Sequence, residues 1–195
     1  MQHFYAYISR LKYIRRWGLM RNTQEENDME HSLQVAFIAH GLALYAKYEL
    51  KKEVDPNLVM ALACYHDVSE VITGDLPTPI KYKNEDIKQS YKQLENNACQ
   101  QLLKMLHKPM RAIYEPYLQP DESIYEWKLV KAADKLCAYI KCLEEVKAGN
   151  SEFLQAKKTV YNSILAMQME EVQHFILHSL DSFGLSLDEL SQNQE

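Results

Sequence analysis

The segment DPNLVMALACYHDVSE, residues 55–70, decides between a mixed and an all-helical fold. Its apolar run LVMALACY, residues 58–65, has the composition of a buried strand. Three features favour a helix instead: its alanines, the polar HDVSE that continues it, and Asp55 followed by Pro56, an N-cap with proline at the first helical position. The preceding segment, from Met29 to about Leu50, is apolar nearly all round. Val35, Ile38, Leu42 and Tyr45 mark one side, and Leu33, Phe37 and Leu44 another, so this helix is expected in the middle of a bundle.

Working outward, Phe4, Ile8, Leu11 and Ile14 follow a three/four spacing, which predicts a short amphipathic helix; RRWGLMRNTQEEND then breaks it as a loop. Gly74, Pro77 and Pro79 make TGDLPTPIKY a second loop. A long amphipathic helix is predicted over about 84–107, with Ile87, Tyr91, Leu94, Ala98, Leu102 and Met105 on one stripe, and a short helical piece over 109–118. Asp121 is a candidate cap for the next helix, which ends at Gly149-Asn150. A last long helix is expected from about Glu152 to His178, and Ser186 with Glu189 forms a capping box for a final turn. No segment alternates convincingly, and five glycines and six prolines are few for a β-rich or glycine-loop fold. The expectation is an all-α chain of roughly five to seven helices, a single domain over residues 1–195.

With 195 residues, 47% of them hydrophobic and 25% charged, the chain is long enough for a core without disulfide staples. Its formal charge of -5 argues against a broad nucleic-acid or anionic-membrane footprint. Cys64, Cys99, Cys137 and Cys142 show no metal-knuckle spacing and suit buried thiols in a reducing compartment. The N-terminus lacks an apolar signal region and no stretch is apolar enough to span a bilayer, so a cytoplasmic location is expected.

The candidate chemistry centres on His66-Asp67, at the end of an apolar run and before a polar loop. Glu70 follows one turn later and overhangs the same spot; the alternative is a polar helix end where histidine suits the dipole. His31 lies on the same side of its helix as Val35, Ile38 and Leu42, where an imidazole needs a partner. Asp134 falls on the shoulder of the apolar arc Leu129, Val130, Ala133, Leu136, Cys137 and Ile140, with Lys131 and Lys135 offering it a plain salt bridge instead. His31, His66, Asp67 and Asp134 together supply two imidazoles and two carboxylates from three helices, a set that suits a divalent first-row metal. Their separations are too long to form a motif by spacing.

The strings RRWGLMRN (15–22), EHSLQVA (30–36), YHDVSEVITGDLPTPIKY (65–82), KAADKLCAYIKCLEE (131–145) and SLDEL (186–190) resemble those of the HD-domain metal-dependent phosphohydrolases, and within them the bacterial 5′-deoxynucleotidases of the YfbR type, over essentially the whole chain. The resemblance implies that His31, His66, Asp67 and Asp134 bind one divalent metal ion per subunit, with Co2+ supporting activity in that family and Mn2+ or another first-row ion possible. It implies catalytic roles for Glu70 and Asp75, and a nucleotide pocket with Arg16, Trp17 and Asp75; Lys81 is a second phosphate-binding candidate. It further implies hydrolysis of 5′-deoxyribonucleoside monophosphates with low base selectivity, and a homodimer. On this reading a metal-bound water attacks phosphorus, Arg16 grips phosphate oxygens and Trp17 presses on the C2′ face of the sugar. The alternatives are an HD phosphohydrolase for cyclic nucleotides, triphosphates or alarmones, and a non-catalytic helical scaffold.

Overall fold

The computed structural model describes residues 3–81 and 83–192, with only the backbone of Thr78; Tyr82, which closes one of the family-like strings, lies outside them. Eleven α-helical segments are present among the described residues: α1 (Phe4–Ile8), α2 (Asp28–Tyr48), α3 (Pro56–Tyr65), α4 (Glu70–Thr73), α5 (Thr78–Lys81), α6 (Glu85–Lys104), α7 (Lys108–Leu118), α8 (Tyr125–Lys147), α9 (Leu154–Leu165), α10 (Glu170–His178) and α11 (Leu187–Gln192). Two of these, α4 and α5, are single four-residue turns, which leaves nine longer helices and corrects the expected five to seven.

The excess has local causes. The long helix expected over 152–178 is broken where Gln168 adopts φ of 51°, the left-handed region that ends helices; a 3-10 turn at Ser151–Phe153, α9 and α10 take its place. The segment expected as a plain loop, residues 73–82, contains the single turn α5, and α4 runs into it up to Gly74, whose φ of 72° suits glycine. Asp121 does not cap α8. Its carboxylate accepts from the Ser123 amide and hydroxyl, a turn placed before the helix.

Asn27 caps α2 with its side chain, and Glu30 reaches back to the Asn27 amide, a complete capping box. Asp55 accepts from the Asn57 amide at 2.9 Å and starts α3 as its sequence predicts. The three central helices pack through small residues: Ala36, Ala39, Ala43 and Ala46 of α2, Ala63 of α3, and Ala132 and Ala133 of α8 are all sealed from solvent. Alanines at these contacts let the helix backbones approach closely, and Leu42, Leu62, Leu129, Leu136 and Ile140 fill the space between. Truncating Leu136 to Ala would cost roughly 2–5 kcal/mol at a fully buried position.

This close packing sets the start of α2, the end of α3 and the middle of α8 against one another. A second apolar cluster joins Phe4 and Val68 to Cys99, Leu102, Leu103, Leu106 and Leu118, and fixes α6 and α7 beside the segment after α3. The second apolar side of α2 is not covered: Leu33, Phe37 and Tyr48 face solvent. Cys99, Cys137 and Cys142 are buried free thiols, whereas Cys64 is exposed.

Candidate active site

His31 occupies the first turn of α2, His66 caps the C-terminus of α3, and Asp134 lies midway along α8. One ligand atom from each falls within 4.8 Å of the others. His31 Nε2 is 3.2 Å from Asp134 Oδ1, and the two imidazole rings are 5.3 Å apart. His66 Nδ1 lies 2.8 Å from the carbonyl of Ala63. A carbonyl only accepts, so Nδ1 donates to it, and this bond orients the ring with Nε2 toward the cluster. That Nε2 is buried without a well-aligned hydrogen bond. Asp67 Oδ2 stands beside it at 3.0 Å, and 3.8 Å from His31 Nε2.

Two nitrogens and a carboxylate converging at one point fit a single divalent ion; Asp67 lies beside this triad without being part of it. The electrostatics agree. Burial alone would raise the pKa of Asp134, yet Lys131, 3.0 Å from its Oδ2, and the two histidines hold it well below the usual range. Asp134 therefore makes the salt bridge and faces the cluster at once. Burial likewise opposes ionisation of Asp67, but His66 and Arg16 overcome it and keep Asp67 charged. For His31, burial and Arg16 favour the neutral ring, while Asp134 and Glu26 win and raise its pKa.

Arg16 enters from the loop between the first 3-10 turn and α2. Its Nη1 is 3.3 Å from Asp67 Oδ2 and 3.8 Å from Asp28 Oδ1, and its Nε is 3.4 Å from Glu26 Oε2. Trp17 follows with φ of 58°, an unfavourable conformation for an aromatic residue. Its indole N–H donates to Glu26 Oε2 at 3.2 Å, and its ring packs 5.3 Å from Phe153.

Glu70 is buried just beyond the doublet with Oε2 unpartnered. Burial, reinforced by the carboxylates of Asp67, Asp28 and Asp75, pushes its pKa up to about 11, so it carries a proton at neutral pH. Burial also raises Asp75, against the pull of Arg16. Lys81 is turned toward α6, where it pairs with Glu95 at 2.7 Å and lies over the Tyr91 ring.

Two acids of this site escape a reading of the sequence. Glu26 bridges Arg16, Trp17 and His31, its Oε1 lying 3.6 Å from His31 Nδ1. Asp28 is fully buried, with a pKa pushed up to about 7, chiefly by burial. Both sit in the polar run EEND, which carries no periodicity. The one available signal was Asn27 with Glu30 three residues on, the same capping pattern recognised at Ser186.

With a His/His/Asp cluster where three helices of an all-helical core meet, the chain is a metal-dependent phosphohydrolase of the HD class. The fold agrees with an HD-domain phosphohydrolase from Listeria innocua, at a TM-score of 0.82 and 24% identity over 97% of this chain and 94% of that one. It also agrees with the cyanophage S-2L HD phosphohydrolase bound to dA and one catalytic Zn2+ ion, at a TM-score of 0.66 and 18% identity over 92% and 95% of the two chains. Residues 3–183 match the family described as 5′-deoxynucleotidase YfbR-like, and the chain belongs to it. Among its relatives, a 5′-deoxynucleotidase of Yersinia pseudotuberculosis is 50% identical over 194 residues, 98% of each chain, as is one of Yersinia pestis. No helix among the described residues is long and apolar enough to cross a membrane.

Proposed function

We propose that this protein hydrolyses 5′-deoxyribonucleoside monophosphates to deoxynucleoside and phosphate. The observation that carries the reading is the convergence of His31, His66 and Asp134 within 4.8 Å, in a chain that is half identical to 5′-deoxynucleotidases over nearly its full length. His31, His66, Asp67 and Asp134 hold one divalent ion per subunit, Co2+, Mn2+ or another first-row metal. When bound, that ion supplies Lewis-acid polarisation of the phosphoryl group and lowers the pKa of a water.

The chain's own side chains do the rest. Arg16 binds phosphate oxygens through its planar fork, held in place by Glu26 and Asp67. Glu70 is the proton donor to the departing 5′-oxygen, a role that requires an acid still protonated at neutral pH. Asp75, behind the Gly74 turn, meets the sugar 3′-hydroxyl. Lys81 adds positive charge at the end of this loop while paired to Glu95. The Trp17 indole blocks the space a 2′-hydroxyl would need, so that a ribonucleotide binds with an unpartnered polar group. Low base selectivity is part of the same reading.

The working form is a homodimer, supported by the uncovered α2 residues Leu33, Phe37 and Tyr48. The free thiols suit a cytoplasmic setting. The test is phosphate release from dAMP and AMP after chelation, then with added Co2+, Mn2+, Mg2+ or Zn2+. Metal-dependent turnover of dAMP well above AMP is expected. No release from either by metal-loaded protein overturns the reading and redirects the search to diesters and polyphosphates.

A further inference from the structure

The loop that carries Arg16 and Trp17 is closed at its base and pinned at its tip. At the base, Arg15 and Asn27 form an antiparallel bridge, and the Arg16 amide donates to the Glu26 carbonyl at 3.0 Å. At the tip, Asn22 donates to the carbonyls of Trp17 and Met20. Beyond it the backbone meets one buried side chain, Glu145 of α8.

Glu145 is 1% exposed, and five donors converge on its carboxylate. They are the Thr23 amide at 2.9 Å, the Thr23 hydroxyl at 2.7 Å, the Gln24 amide at 3.2 Å, Asn150 Nδ2 at 2.8 Å and the Lys141 ammonium. Lys141 also donates to the Gln24 carbonyl, and Asn150 to the Arg21 carbonyl at 2.7 Å. The Arg21 guanidinium pairs with Glu152 at 3.0 Å. Phe153, against which Trp17 packs, stands in the same α8–α9 corner. Glu145 follows Asp134 by eleven residues, about three helical turns, so both project from one side of α8. A left-handed backbone at Trp17 persists only where its surroundings over-determine it.

We propose that Glu145 is a positioning residue for the substrate loop. Without touching substrate, it holds the Arg16–Trp17 segment in register with the metal centre on the same helix, and so sets the discrimination between deoxyribose and ribose. The inference rests on the roles of Arg16 and Trp17 proposed above. A carboxylate is required because all five groups donate; an amide in its place would turn an N–H toward another donor.

The experiment compares Glu145→Gln with its parent in a Trp127→Phe background, which leaves Trp17 as the sole tryptophan. Acrylamide quenching of Trp17 fluorescence reports the loop, and the dAMP-to-AMP ratio of kcat/KM reports the discrimination. Expected for Glu145→Gln are stronger quenching, a ratio reduced on the order of tenfold by misplacement of the segment, and undiminished metal per subunit. In the double variant with Trp17→Ala, the ratio should fall no further than with Trp17→Ala alone. If Trp17→Ala lowers the ratio and Glu145→Gln changes neither ratio nor quenching, the positioning role is overturned. If Trp17→Ala leaves the ratio unchanged, the sugar-discrimination reading fails instead, and quenching with KM for dAMP then decides whether Glu145 holds the loop. Should Glu145→Gln not fold, Thr23→Val removes one donor from an exposed residue. It is expected to shift both readouts in the same direction, and no shift in either overturns the proposal.

Discussion

Replacing Glu70 by Gln should make the metal-free protein more stable and the enzyme slower. Glu70 has an ordinary pKa of 4.5 and about 11 in the fold, raised by burial first and by Asp67, Asp28 and Asp75 next. The folded state therefore keeps a proton that the unfolded chain releases above pH 4.5, and stability falls as pH rises from 4.5 toward 11. At about 1.4 kcal/mol per pH unit, the penalty reaches about 3 kcal/mol at pH 7 and grows by about 4 kcal/mol between pH 5 and 8. Glutamine keeps the shape and removes the titration. Denaturant unfolding of metal-free parent and Glu70→Gln at pH 5, 7 and 8 should show a steep fall in the parent and a shallower one in the variant, where Asp28 and Asp75, also raised by burial, keep their share of the slope. At pH 7 the variant's Tm should be higher by roughly 5–10 °C for a chain of this length. With Co2+ restored, its kcat for dAMP should drop about 100-fold, the loss of a positioned proton donor. Equal pH slopes, or a kcat within threefold of the parent, would refute the reasoning.

Two further outcomes follow from the same geometry. His66→Ala and Asp134→Asn should each abolish stoichiometric Co2+ binding and phosphate release while the chain stays folded; metal analysis after desalting, beside a helical circular-dichroism spectrum, checks this. Phe37→Glu, at a position 66% exposed on the uncovered side of α2, should convert the proposed dimer to monomer in light scattering without lowering Tm by more than a degree or two. An unchanged mass would remove that face as the interface.

Much of the helical content was legible because local signals agreed with one another. Asp55-Pro56 began α3, Gly149-Asn150 ended α8, and Ser186 with Glu189 capped α11, each through a side-chain or backbone requirement acting over four residues. The number of helices was not legible. Gln168 takes a left-handed conformation that nothing in its own chemistry demands, and α4 and α5 are single turns too short to carry a period.

At the site, the residue types alone determined that a buried histidine and an edge carboxylate needed partners, and the family-like strings around them pointed to one centre. That His31 Nε2 meets Asp134 at 3.2 Å, across 103 residues, was decided by alanine-lined helix contacts that only packing creates. Glu26, Asp28 and Glu145 belong to the same category. Each looks like a solvated charge in its own segment; Asp28 and Glu145 are buried because distant elements arrive with donors or a desolvating wall, and Glu26 is half-buried where its own loop folds Arg16 and Trp17 back onto it. Periodicity and capping act along the chain and can be read from it, whereas the pKa of Glu70 and the grip on the Trp17 loop arise between segments, where low dielectric and converging donors exist only after the helices have packed.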